Sequence, residues 1–194
     1  KISVRKTGDI FTSVNMASSA YTDENGELVV NSTTYTPVFA DGDLSGAVFQ
    51  VIAVEDIVTL DGTTRAYAGD VVSEITTDEN GYAETEPLYL GKYEVREIKA
   101  PYGYVLNNEP KDVELTYAGQ EFEVRDTVNT AFENEYQSVR ISLSKVMESD
   151  ELFGIYGNDY YTSVRFGLFA AEDITAADGS AIPADGLLSE VSLD

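Results

Sequence analysis

An acid stands inside an apolar strand pattern in the stretch Tyr93-Glu-Val-Arg-Glu97-Ile98. Period-two alternation puts Tyr93, Val95 and Glu97 on one face, so Glu97 shares a face with core-type side chains. The competing position is a surface carboxylate paired with Lys99 or Arg96. A turn signal follows at once, Ala100-Pro101-Tyr102-Gly103-Tyr104. The chain has no Cys and no His. That removes Cys/His nucleophile pairs, Ser-His-Asp triads, disulfides and the usual zinc sites. A carboxylate-pair hydrolase stays formally open. No cluster of Asp and Glu stands apart from turn positions, however, and no phosphate-cradling Gly loop is present. Neither catalysis on an external substrate nor any cofactor or metal is expected.

The elements that must position Glu97 are strands. Short Val/Ile/Tyr/Thr/Phe runs are separated by Gly/Asn/Asp turns: Gly46 to Ala53, Asp70 to Thr76, Gly91 to Glu97 and Lys111 to Tyr117. Lys111 to Tyr117 and Glu121 to Arg125 alternate with period two, as strands with one wet face do. Asp61-Gly62, Asn80-Gly81 and Ala118-Gly119 are turn signals, and Thr127 to Phe132 reads as a turn before another strand. No long amphipathic helix is visible. The expected class is all-β.

The motif Thr-Asp-Glu-Asn-Gly occurs twice, at 22–26 and 77–81. Asn-Gly suits a tight hairpin turn because both residues tolerate positive φ. The acids read as turn solvation, since the spacing lacks the ligand alternation of an EF-hand loop. The first copy lies in a polar stretch, about residues 10–42, that reads as a hairpin insertion. A larger repeat runs through the chain. Ile2-Ser-Val-Arg-Lys6 matches Ile141-Ser-Leu-Ser-Lys145, the run Phe49 to Ile57 matches Phe166 to Ile174, and Asp61-Gly62 matches Asp178-Gly179. The organisation expected is one module over 1–137 and the first half of a second over 138–194, truncated at its midpoint. Both ends read as cut from something longer.

Of the 194 residues 43% are hydrophobic, so a core can form despite a formal net charge of −23. That charge repels phosphates and argues against nucleic acid or an anionic membrane as partner. No apolar run approaches the roughly 18 residues of a membrane span, and no signal peptide is visible.

The ordered motifs resemble one family. Leu44-Ser-Gly46-Ala47-Val-Phe49, the second Thr-Asp-Glu-Asn-Gly, and Leu90-Gly-Lys-Tyr-Glu-Val-Arg-Glu-Ile-Lys-Ala-Pro-Tyr-Gly-Tyr104 follow a lysine-bearing first strand. This is similar to the collagen-adhesin B-type repeat, also called the Cna B-like or SpaA-type pilin domain, of Gram-positive surface adhesins and pili. The resemblance covers residues 1–136, apart from the insertion, and the front half of the module beyond. It implies a β-sandwich of transthyretin-like, reversed-immunoglobulin type. It also implies an intramolecular isopeptide bond between a first-strand lysine, Lys6, and a last-strand asparagine, Asn134, assisted by a buried Glu97. Asn129 and Asp126 are alternative acceptors. Lys145 holds the equivalent place in the second repeat without a Glu or Asn partner, and is expected to stay uncrosslinked.

The implied chemistry explains an acid in a core. An amine must be neutral to attack an amide, and burial disfavours the charged form of an amine and of a carboxylic acid alike. A protonated Glu97 is then expected to hydrogen-bond the Asn134 carbonyl and shuttle a proton to departing ammonia. The resemblance implies a structural stalk or spacer, extracellular at the bacterial cell surface or cell wall, with neighbouring modules of the same protein as partners. Two other readings stand beside it. One is a direct adhesin that recognises a host protein or glycan through its loops, with Tyr156, Tyr160 and Tyr161 as a candidate patch. The other is an accessory β-domain of a carbohydrate-active enzyme.

Overall fold

The structure is a computed structural model that describes residues 1–117, 128–146 and 164–192. The named elements among the described residues are all strands: β1 (Ile2–Thr22), β2 (Leu28–Asp43), β3 (Val48–Ala53), β4 (Ile57–Val58), β5 (Thr64–Ala66), β6 (Val71–Thr76), β7 (Tyr82–Glu84), β8 (Gly91–Lys99), β9 (Lys111–Leu115), β10 (Val128–Asn134), β11 (Arg165–Phe169), β12 (Ile174–Thr175), β13 (Ala181–Ile182) and β14 (Leu187–Ser192). The all-β expectation holds. No helix among them is long and apolar enough to cross a membrane. The chain divides into two compact units: Lys1–Ile10 with Asp41–Ser138, and Phe11–Ala40 with Val139–Asp194.

The first unit is a sandwich. One sheet centres on the start of β1, which pairs in parallel with β10 (Ile2↔Val128 through Gly8↔Asn134) and antiparallel with β7. The other is an antiparallel sheet of order β6-β3-β8-β9. Alternation aims one face of each strand inward. Ile2 and Val4 of β1, Phe49 and Val51 of β3, Tyr93 and Val95 of β8, Val113 and Leu115 of β9 and Phe132 of β10 form one buried cluster. Each full burial of such a side chain contributes roughly 1.5–3 kcal/mol. Phe49 and Phe132 meet across the layers with ring centroids 4.8 Å apart.

In the second unit β11 pairs antiparallel with β14, and β12 with β13. The hairpin of β1 and β2 is present where an insertion was expected, and its outer part, Phe11–Ala40, clusters with this unit. There β2 joins β14 in parallel at Thr34↔Leu187, and the carbonyls of Phe11 and Thr12 accept the N–H groups of Ala177 and Asp178. The two Asp-Gly turns of the repeat are built alike. Gly62 and Gly179 have φ of 79° and 85°, and Asp61 and Asp178 each accept the N–H two residues on.

Three local readings change. The turn expected at Thr127 to Phe132 is occupied by β10 from Val128 onward, because Val128, Thr130, Phe132 and Asn134 form an inward-facing row against β1. The strand read from Lys111 ends at Leu115. Ile141 to Lys145 forms no strand, and Ile141 and Leu143 are exposed. Asp126, the run Glu121 to Arg125, the Ala118-Gly119 turn, and Tyr156, Tyr160 and Tyr161 lie outside the described residues.

Candidate functional site

Three polar side chains end in the core of the first unit. Lys6 follows Ile2 and Val4 on the inward row of β1, Glu97 follows Tyr93 and Val95 on β8, and Asn134 follows Phe132 on β10. Each is placed by the same period-two rule that buries its apolar neighbours. Their exposures are 0%, 2% and 3%. Lys6 is therefore a core lysine, and Glu97 is not a surface carboxylate. The neighbouring Lys1 and Arg5 instead pair at the surface with Glu84 and Asp43.

The three groups meet. Lys6 Nζ donates to Asn134 Oδ1 at 2.5 Å, Asn134 Nδ2 donates to Glu97 Oε1 at 3.0 Å, and Lys6 Nζ lies 3.5 Å from the same Glu97 oxygen. The expected contact from Glu97 to the Asn134 carbonyl is not the one formed. An ammonium only donates and a carboxylate only accepts, so the amide turns its oxygen to Lys6 and its nitrogen to Glu97. The second Glu97 oxygen, Oε2, accepts the backbone N–H of Asn107 at 2.8 Å. No buried polar side-chain atom of the described residues lacks a partner. Asn107 was missed in the sequence, because a backbone donor leaves no residue-type signal.

Burial pushes the Lys6 amine below the ordinary lysine value. The charges of Glu97 and Glu133 pull it back up, and that of Lys111 adds to the lowering. Lys6 and Lys111 both approach the Phe132 ring, with Nζ 5.8 and 5.1 Å from its centroid.

The surrounding backbone fixes these side chains. Lys6 N donates to Gly81 O at 2.8 Å and Leu44 N to Lys6 O at 3.0 Å. Gly81 has φ of 65°, and a Cβ there would fall 2.4 Å from the Lys6 carbonyl oxygen. The second Thr-Asp-Glu-Asn-Gly copy thus holds the lysine-bearing strand. Its Asp78 caps the N–H groups of Asn80 and Tyr82, as Asp23 of the first copy caps those of Asn25 and Glu27. The Pro-Tyr-Gly-Tyr turn closes the other end. Tyr104 OH donates to Asp9 O at 2.7 Å, Val105 N to Glu135 O at 2.9 Å and Gln137 N to Gly103 O at 2.7 Å. A cavity of about 350 Å³, lined by residues 105–109 and 133–135, opens beside Asn134.

The remaining candidates sit elsewhere. Asn129 is opposite Ser3 in the ladder, and its side chain accepts from the Ser3 hydroxyl at 2.5 Å. Lys145 is exposed on a stretch without regular structure. No group of three or more metal-ligating side chains occurs among the described residues.

The family model for the SpaA prealbumin-like fold domain matches residues 32–130. The chain is 26% identical over 157 residues to the trypsin-resistant surface T6 protein of Streptococcus pyogenes serotype M6, covering 81% of this chain and 25% of that one. It therefore spans about a quarter of that relative. Among solved structures, the minor pilin of Streptococcus agalactiae matches at TM-score 0.41 and 17% identity, over 74% of this chain and 47% of that one. The major pilin SpaD of Corynebacterium diphtheriae matches at TM-score 0.39 and 19% identity, over 70% and 29%.

Proposed function

The chain belongs to the SpaA prealbumin-like fold family, and from that premise we propose that it is a structural stalk segment of a Gram-positive bacterial surface protein, closed by a self-formed isopeptide bond between Lys6 and Asn134. The observation that carries this reading is the meeting of Lys6, Glu97 and Asn134 in one buried site between the first and last strands of the unit.

The reaction needs only these groups. A proton passes from the Lys6 ammonium to the Glu97 carboxylate, which turns a buried ion pair into a neutral amine and acid and lifts a desolvation cost. Lys6 Nζ then attacks Asn134 Cγ. The bond from Cγ to Nδ2 breaks as the Nζ–Cγ bond forms. Glu97, already on the Nδ2 side, gives its proton to the leaving nitrogen and takes one from the attacking amine. Ammonia departs, and the cavity beside Asn134 is its way out. No oxidant is required. Fixed geometry in a dry core supplies much of the rate. The step happens once per chain, so this is self-modification rather than enzymatic turnover.

The product ties residues 128 positions apart. By the loop-entropy relation used for disulfides, that closure stabilises by about 5 kcal/mol. Because β1 and β10 run parallel, the bond takes load that their ladder would otherwise bear. The proposed setting is the outer bacterial surface, with neighbouring modules of the same protein as partners. Residues 138–194 are proposed as the start of a second such module.

A direct-binding reading has a specific foothold in a groove of about 400 Å³ lined by Ile57, Arg65, Asp70, Pro87, Leu88 and Tyr89, among others. Arg65 stacks 5.2 Å from the Tyr89 ring centroid there, a surface that would suit a host protein or glycan.

Peptide mapping tests the stalk reading. Proteolysis should yield one branched peptide that joins the Lys6 segment to the Asn134 segment. Recovery of the two as separate, unmodified peptides would sink the crosslink.

A further inference from the structure

Asn107 touches both halves of the buried site. Its backbone N–H donates to Glu97 Oε2 at 2.8 Å. Its side-chain amide donates to the carbonyl of Glu133, the residue before Asn134, at 3.0 Å. Its Oδ1 accepts the Glu109 N–H at 3.0 Å, which holds the segment in shape. One residue of the connection from β8 to β9 thus spans the proton carrier and the strand that bears the acceptor.

We propose that Asn107 is a positioning residue for the crosslinking reaction: its N–H holds Oε2 of Glu97 and so turns Oε1 toward the reacting nitrogens of Asn134 and Lys6, while its side chain ties the same loop to the acceptor strand. The inference rests on the crosslink reading above.

Glu97 can exchange protons with the reacting nitrogens only through an oxygen that faces them. An N–H donated to Oε2 from 2.8 Å holds that oxygen away from the reaction and leaves Oε1 turned into it. That oxygen is the one 3.0 Å from Asn134 Nδ2 and 3.5 Å from Lys6 Nζ. Without the donor the carboxyl group would be free to rotate, and Oε1 would lose its place beside the reacting nitrogens. The side-chain bond to Glu133 adds registration, because it ties the same loop to the acceptor strand one residue from Asn134.

The test follows crosslink formation by intact mass after a pulse of cell-free synthesis, across pH. Asn107→Pro removes the N–H and Asn107→Ala removes the side chain while keeping the N–H. The wild-type rate should have a pH window set by the buried Lys6 amine, on which the charges of Glu97, Glu133 and Lys111 act. Asn107→Pro should slow the reaction roughly 10–100-fold, somewhat less than loss of a direct oxyanion donor. Its pH window should also move downward, because a Glu97 charge no longer held against Lys6 raises that amine less. Asn107→Ala should slow it several-fold with the window unchanged. A merely structural role would lower the rate of both variants and leave the window in place.

If Asn107→Pro crosslinks at the wild-type rate in the same window, the inference is overturned while the crosslink reading stands. If that variant does not fold by circular dichroism, Asn107→Ala carries the test, and a full rate there overturns it. A wild-type chain that never loses ammonia overturns both readings.

Discussion

Gly8 lies opposite Asn134 in the parallel ladder of β1 and β10, and a Cβ on it would fall 2.4 Å from the Asn134 carbonyl oxygen. The same Cβ would meet Leu44 at 2.8 Å and Tyr104 at 3.3 Å. Glycine at the inward position after Lys6 therefore lets the acceptor strand approach the lysine strand. Gly8→Ala should push β10 outward, at a cost of roughly 1–3 kcal/mol for overpacking. The crosslinked fraction should fall with it. Thermal melting and intact mass on the same sample check both effects, and unchanged values for both would mean that the close approach is unimportant.

Glu97→Ala should abolish the crosslink and leave the Lys6 ammonium buried without its counter-charge. Removing one partner of a buried pair costs roughly 3–5 kcal/mol, in addition to the lost loop closure. Glu97→Gln should also fail to crosslink but destabilise less, since it keeps the shape and an acceptor for Asn107 N–H. Denaturant unfolding of the three proteins would rank them wild type, Gln, Ala.

A pH effect should appear once the bond is prevented. In Asn134→Ala the Lys6 amine persists, and burial holds its folded value below the unfolded value near 10.5. Between those values the unfolded chain binds more protons, so this group's contribution to stability rises with pH and is smallest where the buried amine must be charged. Wild type carries an amide in place of the amine and lacks this term. The difference in unfolding free energy between the two proteins should therefore narrow as the pH rises toward 10.5; a constant gap would contradict a buried titrating Lys6.

Much of this site is legible in the sequence, for unequal reasons. Alternation alone aims Glu97 inward, because Tyr93 and Val95 fix the face. The pairing of Lys6 with Asn134 is another matter. They are 128 positions apart, and no local pattern announces a parallel pairing of first and last strands, so only the family resemblance brought them together. The same limit applies to residues 11–40. Their hairpin chemistry is local and visible, whereas their pairing with β14 and their contacts to Ala177 and Asp178 depend on distant strands. Asn107 was invisible because its contact to Glu97 uses an N–H that every residue but proline has.

Force should separate the tied and untied forms. Pulled between positions 6 and 134, the wild type should not extend beyond the bond itself. Asn134→Ala should release the whole 128-residue separation, roughly 420–460 Å of contour at full extension. A wild type that gives the same extension has no covalent tie.

The central claim is tested most directly by the intact mass of the purified chain beside its Glu97→Ala variant. The account predicts a wild-type mass lower than the sequence mass by one ammonia, and a variant at its full sequence mass. A wild type at full sequence mass would contradict the account, and the meeting of Lys6, Glu97 and Asn134 would then be a buried polar network without a reaction.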